Sequence, residues 1–178
     1  MRNDIDYILY NEETLNAKVE ELGRTITNDY KGKAPFLIGV LKGCFVFMAD
    51  IARAIDLPCD IDFMAVSSYG NGTSSTGAVN ITKDLSRDIE GRDVIIIEDI
   101  LDSGITLSYL KSYLNNRRPA SIKICTLLDK PARRASDIRA DYIGFTCPDE
   151  FVVGYGLDYA EKYRNLPFIG VLKPEIYE

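Results

Sequence analysis

The 178-residue chain contains no histidine. Any general acid or base must therefore come from Asp, Glu, Lys, Tyr or Cys, and near neutral pH the carboxylates come first. Its four cysteines, Cys44, Cys59, Cys125 and Cys147, include no C-x-x-C pair. That argues against a zinc site or a redox couple and for buried free thiols in a reducing compartment. No apolar run approaches the roughly 18 residues of a membrane-spanning helix. The opening MRNDIDYILY scatters charges where a signal peptide carries its apolar core, so the expected address is cytoplasmic, with no membrane partner. Positive charge is in deficit: 21 Lys and Arg face 27 Asp and Glu, for a net charge of −6. A nucleic-acid-binding surface shows the opposite balance, so nucleic acid is not an expected partner, whereas a few basic side chains and backbone amides can still hold a small anion. Two common phosphate-binding fingerprints are also missing, since no G-x-G-x-x-G and no Gly-Lys-Ser/Thr follows an apolar run.

What remains is an ordinary globule, 46% hydrophobic and 27% charged, of a length that fits one domain over 1–178. Over residues 12–28, Leu15, Val19, Leu22 and Ile26 form one helical stripe behind an acidic first turn. After a break at Lys31-Gly32-Lys33-Ala34-Pro35, residues 36–41 form a short apolar run expected of a strand buried on both sides. Residues 45–55 return to helical spacing, 61–66 read as a second strand, and 94–97 as a third, followed by a helix over 105–114. Residues 122–128 and 142–145 supply two more strands, with a short turn or helix near 131–134. The stretch 69–78, YGNGTSSTGA, has nothing with which to build a core and reads as a mobile loop. Alternating strand and helix predicts an α/β fold with a central, mostly parallel sheet flanked by helices on both faces. The core spans about 13–153, and the terminal segments 1–12 and 154–178 are expected to form a small hood. In such sheets ligands bind beyond the carboxyl ends of the strands.

The loop after the third strand carries the strongest signal. Val94-Ile95-Ile96-Ile97 runs into Glu98-Asp99, then Asp102-Ser103-Gly104-Ile105-Thr106 and a helix. A turn at Ser103-Gly104 would expose successive backbone N–H groups at a helix N-terminus, where phosphate is favoured, with the Ser103 and Thr106 hydroxyls as added donors. Glu98 and Asp99, at the strand's end, suit paired hydroxyls such as those of ribose. The plain alternative is an acidic turn and a helix capped by Asp102 or Ser103.

Four aliphatics, Glu-Asp, two more aliphatics and Asp-Ser-Gly-x-Thr resemble the phosphoribosyl pyrophosphate motif of type I phosphoribosyltransferases. Further loops narrow the resemblance to the hypoxanthine-guanine phosphoribosyltransferase family. Leu41-Lys42-Gly43 is similar to its pyrophosphate loop, in which the peptide before the lysine is strained; from the residues alone, Gly43 is a glycine at the start of a helix. Ser68-Tyr69 resembles the closing flap that excludes water, or else an ordinary hairpin tip. Lys130, which alone would be a solvated surface lysine, matches the lysine that donates to a purine 6-oxo group and rejects the amino group of adenine. The stretch Phe151-Val152-Val153-Gly154-Tyr155-Gly156-Leu157-Asp158-Tyr159 is similar to the base pocket. There the resemblance implies that Phe151 stacks on the purine, the Val152 backbone bonds its edge, Asp158 binds magnesium and Arg164 reaches the pyrophosphate. Without the resemblance, an aromatic beside two valines is core. Phe45, where some members carry Tyr, and Gly156 in place of Ala are departures away from the proposed catalytic positions.

The resemblance implies transfer of a 5-phosphoribosyl group from phosphoribosyl pyrophosphate to N9 of hypoxanthine or guanine, giving IMP or GMP and pyrophosphate. Mg2+ is the implied cofactor, with Glu98, Asp99 and Asp158 as candidate ligands. Asp102 is the candidate general base, acting at purine N7. A homodimer or homotetramer is expected. Two other readings remain open: a transferase for xanthine or a pyrimidine, and a regulator that senses the donor and binds RNA or DNA.

Overall fold

The computed structural model describes residues 1–68 and 79–177. Its centre is a six-stranded sheet in the order β4-β3-β2-β5-β6-β7, formed by β2 (Phe36–Leu41), β3 (Asp60–Ser68), β4 (Val79–Lys83), β5 (Asp93–Leu101), β6 (Ser121–Asp129) and β7 (Tyr142–Thr146). All neighbours run parallel except β4, which pairs antiparallel with β3. The mostly parallel α/β sheet is thus the architecture expected from the alternation of strand and helix.

Period-two alternation divides the sheet's side chains between two cores. Leu37, Ile95, Ile97, Cys125 and Leu127 face α1 (Glu12–Asp29) and α2 (Phe45–Ala54) in one apolar cluster. Phe36, Ile38, Val40, Val94, Ile96 and Ile124 face α3 (Ile105–Asn115) in the other. The stripe of α1 is buried at Leu15, Val19, Leu22 and Ile26, and Asn11 starts the helix by accepting a hydrogen bond from the Thr14 amide at 2.8 Å. Because both faces of β2 and β5 are covered, these strands read as continuous apolar runs rather than alternating ones.

The terminal segments meet in a separate three-stranded antiparallel sheet, β1-β9-β8, from β1 (Ile5–Tyr10), β8 (Val152–Val153) and β9 (Ile169–Leu172). Val152 and Val153, on the core side of the boundary expected at 153, pair within this small sheet. Neither β1, whose middle residues are exposed, nor the two-residue β8 carries a periodicity visible in sequence. Among the described residues no helix is long and apolar enough to cross a membrane.

In the main sheet the connections leave β2 and β5 in opposite directions, one towards β3 and the other towards β6. The carboxyl ends of β2 and β5 therefore flank the crevice where open α/β sheets bind ligands. A cavity lies there, lined by Leu41, Gly43, Glu98, Asp99, Asp102 and Thr106 among others. Phe47 of α2, in the cluster that packs on one face of this sheet, is fully buried. Phe47→Ala is expected to destabilise the protein by about 3–5 kcal/mol through lost burial and the cavity left behind. At this size that lowers the melting temperature by roughly 10 °C, measurable by thermal denaturation; an unchanged midpoint would contradict the packing described.

Candidate active site

The strand β5 does not stop at Ile97, as its apolar run implied, but continues to Leu101. Glu98 and Asp99 are therefore ladder residues, Glu98 standing opposite Thr126 of β6. The chain then turns through Asp102, Ser103 and Gly104 into α3. Gly104 occupies the left-handed region at φ 78° and precedes the helix with no side-chain cap. An added Cβ would lie 2.5 Å from Ile138 Cγ2 and collide with the Ser136 hydroxyl, so both conformation and packing demand glycine here. Ser103 Oγ accepts only a long bond from the Ile105 amide, 3.4 Å. Instead of a capped helix, the turn leaves backbone donors at the helix start facing the cavity, where Asp102, Ser103, Gly104 and Thr106 line the wall. The side chains of Asp102 and Ile105 are exposed.

The carbonyls of this turn are all engaged from behind. Leu101 O accepts from Lys130 N at 2.9 Å, and Ser103 O from Ala135 N at 2.9 Å and Ser136 Oγ at 3.1 Å. Arg134 donates through Nε to Asp102 O at 2.9 Å.

Opposite the turn, the Leu41–Lys42 peptide is cis, and any side chain at Gly43 would run into the Asp99 carboxylate. Gly43 lies between β2 and α2, but this contact, rather than helix initiation, is what requires a glycine. Burial pushes the Asp99 carboxyl up from 3.8 to about 6, with nearby Asp158 adding to the rise, against the lowering pull of the Ile100 amide and Arg164. Burial also raises the neighbouring Glu98 well above the usual carboxylate range, and Asp99 reinforces the shift. Glu98 Oε2 is buried without a hydrogen-bond partner.

Arg164 reaches this acidic wall from the loop after β8. Its Nη1 donates to Gly156 O at 2.8 Å and its Nη2 pairs with Asp158 at 2.9 Å, while its Nε is buried without a partner. Lys42 pairs with Glu161 across an exposed 3.0 Å contact. A Cβ on Gly156 would strike the Gly43 carbonyl, so the departure from Ala at this position bears directly on the Lys42-Gly43 loop. The expected trio of Glu98, Asp99 and Asp158 does not form a metal cluster: among the described residues no three such side chains converge to hold an ion. Asp158 is instead committed to Arg164 and to the Glu161 amide, 2.9 Å away.

A second cluster of polar and aromatic side chains forms beyond the end of β6. Lys130 is not a solvated lysine, being only 6% exposed. Its ammonium donates to Glu150 O at 2.8 Å and pairs with Asp149 at 3.3 Å, and Asp149 is held in turn by Arg133 Nε at 2.6 Å. With three N–H donors, the ammonium retains capacity for one more acceptor. The Phe151 ring is 37% exposed. Tyr177 stacks on it with centroids 4.8 Å apart and Tyr159 meets it edge-on at 5.5 Å. Val152 is buried and opposite Val171 of β9. Ser68 ends β3 opposite Val79, and Tyr69 lies outside the described residues. The motifs did not point to Arg134, Glu161 or Tyr177, whereas Tyr159 closes the stretch matched to the base pocket; Tyr177 sits far from any motif and offered no signal.

The buried acids make stability depend on pH. A carboxyl whose pKa is raised on folding stabilises fully below its unfolded value, and that contribution is lost as pH rises through the folded value. For Asp99 the window runs from about 4 to about 6. In metal-free, substrate-free protein, Asp99→Asn is expected to stabilise the protein by on the order of 2–3 kcal/mol near pH 8, raising its melting temperature there and not near pH 4. Thermal melts at the two pH values check this, and an equal difference at both would contradict it.

Comparison with known proteins agrees with this geometry. The phosphoribosyl transferase domain family matches residues 8–160. The hypoxanthine-guanine phosphoribosyltransferase of Bacillus subtilis is 58% identical over 178 residues, covering 100% of this chain and 99% of that protein. The bifunctional protein TilS/HprT of Listeria monocytogenes is also 58% identical over 177 residues, but the chain spans only 27% of its length. Among solved structures, a hypoxanthine phosphoribosyltransferase from Staphylococcus aureus superposes with a TM-score of 0.96 at 54% identity, covering 100% of this chain and 97% of that one. A Trypanosoma cruzi hypoxanthine phosphoribosyltransferase gives 0.94 at 42% identity, covering 99% and 100%. The match spans most of the sequence and these relatives align with nearly all of it, so the chain belongs to the phosphoribosyl transferase family.

Proposed function

We propose that the protein is a purine-salvage enzyme, transferring the 5-phosphoribosyl group of phosphoribosyl pyrophosphate to N9 of hypoxanthine or guanine and releasing pyrophosphate with IMP or GMP. One observation carries this reading: a buried lysine, Lys130, is joined by its own amide to the turn at 101–104 that offers backbone donors to a phosphate. A 6-oxo group and a 5′-phosphate are thereby recognised by one continuous piece of structure.

Each residue then has a definite task. Ser103, Gly104, Ile105 and Thr106 hold the 5′-phosphate through amides and hydroxyls, and Glu98 and Asp99 accept the ribose hydroxyls. Lys42, Gly43 and Arg164 receive the pyrophosphate. Lys130 donates to the purine 6-oxo group, which adenine's amino group cannot replace. Phe151, braced by Tyr177, presents its ring to the purine, and the Val152 backbone lies at the purine's edge. As the bond at C1′ breaks ahead of bond making, the ribose gains oxocarbenium character that the carboxylates of Glu98 and Asp99 stabilise. Asp102, exposed at the cavity's rim, accepts a hydrogen bond from purine N7 and manages its proton.

The partnerless Glu98 oxygen, with the Asp99 carboxylate next to it in the chain, fits Mg2+, which needs only one or two carboxylates together with substrate oxygens and water. When bound, Mg2+ neutralises charge on the departing pyrophosphate. Four free cysteines suit a reducing, cytoplasmic setting.

Incubation with phosphoribosyl pyrophosphate, Mg2+ and a panel of bases tests the assignment: hypoxanthine and guanine should turn over and adenine should not. Turnover of only a pyrimidine, or of no base together with salt-dependent RNA binding, would refute it. Asp102→Asn is expected to lower kcat by roughly 10²–10⁴-fold with IMP affinity little changed; an unchanged kcat would remove Asp102 from the mechanism. Lys130→Ala should lose the preference for 6-oxopurines, and retained discrimination against adenine would place specificity elsewhere.

A further inference from the structure

The Arg134 side chain, 17% exposed, spends four of its five N–H donors at one place. Nε donates to Asp102 O at 2.9 Å, Nη2 to Leu101 O at 3.2 Å and to the Asp129 carboxylate, and Nη1 to Ile138 O at 2.9 Å. Ala135 and Ser136 take the next carbonyl, Ser103 O. Three successive carbonyls, of Leu101, Asp102 and Ser103, are thus held by Lys130, Arg134, Ala135 and Ser136, none of which lines the cavity.

In a planar trans peptide the C=O and the following N–H point in opposite directions. Fixing those three carbonyls to the rear therefore directs the amides of Asp102, Ser103 and Gly104 to the front, where Asp102, Ser103 and Gly104 line the cavity. We propose that Arg134 is a positioning residue for phosphoribosyl binding: its guanidinium sets the direction of the peptide groups that receive the 5′-phosphate, without touching the substrate. The inference rests on the assignment of residues 102–106 as the phosphate cradle. Asp129, beside Arg134 at the end of β6, balances the guanidinium charge and leaves its fork aligned along the turn. A lysine could keep the ion pair with Asp129, but its single nitrogen cannot span the Leu101 and Asp102 carbonyls together. Without the fork, a peptide of the turn is free to rotate its carbonyl towards the anion.

Direct binding of IMP and of inosine, which differ only by the phosphate, isolates this role. Both affinities are measured by calorimetry on the full chain for the unsubstituted protein, Arg134→Lys, Arg134→Gln and Ser136→Ala, with a thermal melt of each. The unsubstituted protein should prefer IMP strongly. In Arg134→Lys and Arg134→Gln the ratio of IMP to inosine affinity should fall by about tenfold or more, as expected when charge-assisted bonds to the turn are lost, while inosine affinity stays nearly constant. Ser136→Ala removes one bond from the same rear face and should lower the ratio by about two- to fivefold, and it tests the arrangement even if the arginine variants do not fold. A purely structural role would lower the melting temperature and leave the ratio intact in the folded variants, and that result overturns the proposal. If the unsubstituted protein itself shows no preference for IMP over inosine, the cradle assignment fails and the role of Arg134 with it.

Discussion

The direction of three peptide groups between Leu101 and Gly104 is the constraint on which the rest of the site depends. A phosphate can be held by backbone amides only if the neighbouring carbonyls are kept from facing it. The fold achieves this by placing residues 130–138 directly behind the turn, where every carbonyl from Leu101 to Ser103 finds a donor. Gly104 then reverses the chain in a conformation disfavoured for other residues and starts α3 without a cap. Because the backing segment begins with Lys130, the geometry of the phosphate end and that of the base end share one support.

That arrangement is set against a local cost. Glu98 and Asp99 stand side by side within a strand, both resisting ionisation, and one buried oxygen is left without a partner. Arg164 approaches from the opposite loop and eases the ionisation of Asp99, while the strand carrying both acids is fixed by apolar packing on both faces. The same crowding explains Gly43 and Gly156, whose missing side chains let the pyrophosphate-side loops close against the acids. Under the proposed function, a substrate rich in hydroxyls and oxyanions would supply the partners that the Glu98 and Arg164 atoms lack.

Much of this was legible in the sequence, and for physical reasons. Strands buried on both sides announce themselves as short apolar runs, as at β2 and β5, and further apolar runs marked β3, β6 and the half-exposed edge strand β7. The stripe of α1 and the turn before α3 followed from helical spacing and from glycine placement. The end of β5 was misjudged because Glu98 and Asp99 interrupt its apolar run, although Ile100 and Leu101 continue in register against β6. The small sheet was not resolved into strands, since β1 is largely exposed and β8 has two residues. Lys130 looked like a surface residue because burial of an ammonium depends on the distant Asp149 and on the Glu150 carbonyl, contacts no local pattern encodes. Arg134 and Tyr177 were invisible for the same reason. The assignment of Glu98, Asp99 and Asp158 to a metal came from the resemblance, which carries no information on the ion pair that Asp158 makes with Arg164.

The account stands most directly on whether the amides at residues 103–106 receive a phosphate. Amide proton and nitrogen chemical shifts, followed while ribose 5-phosphate is added to the uniformly labelled protein, measure this. The account predicts large downfield shifts at Ser103, Gly104, Ile105 and Thr106, saturating together, with ribose producing none of them. Saturable shifts confined to other surfaces, with these four amides unmoved, would contradict it.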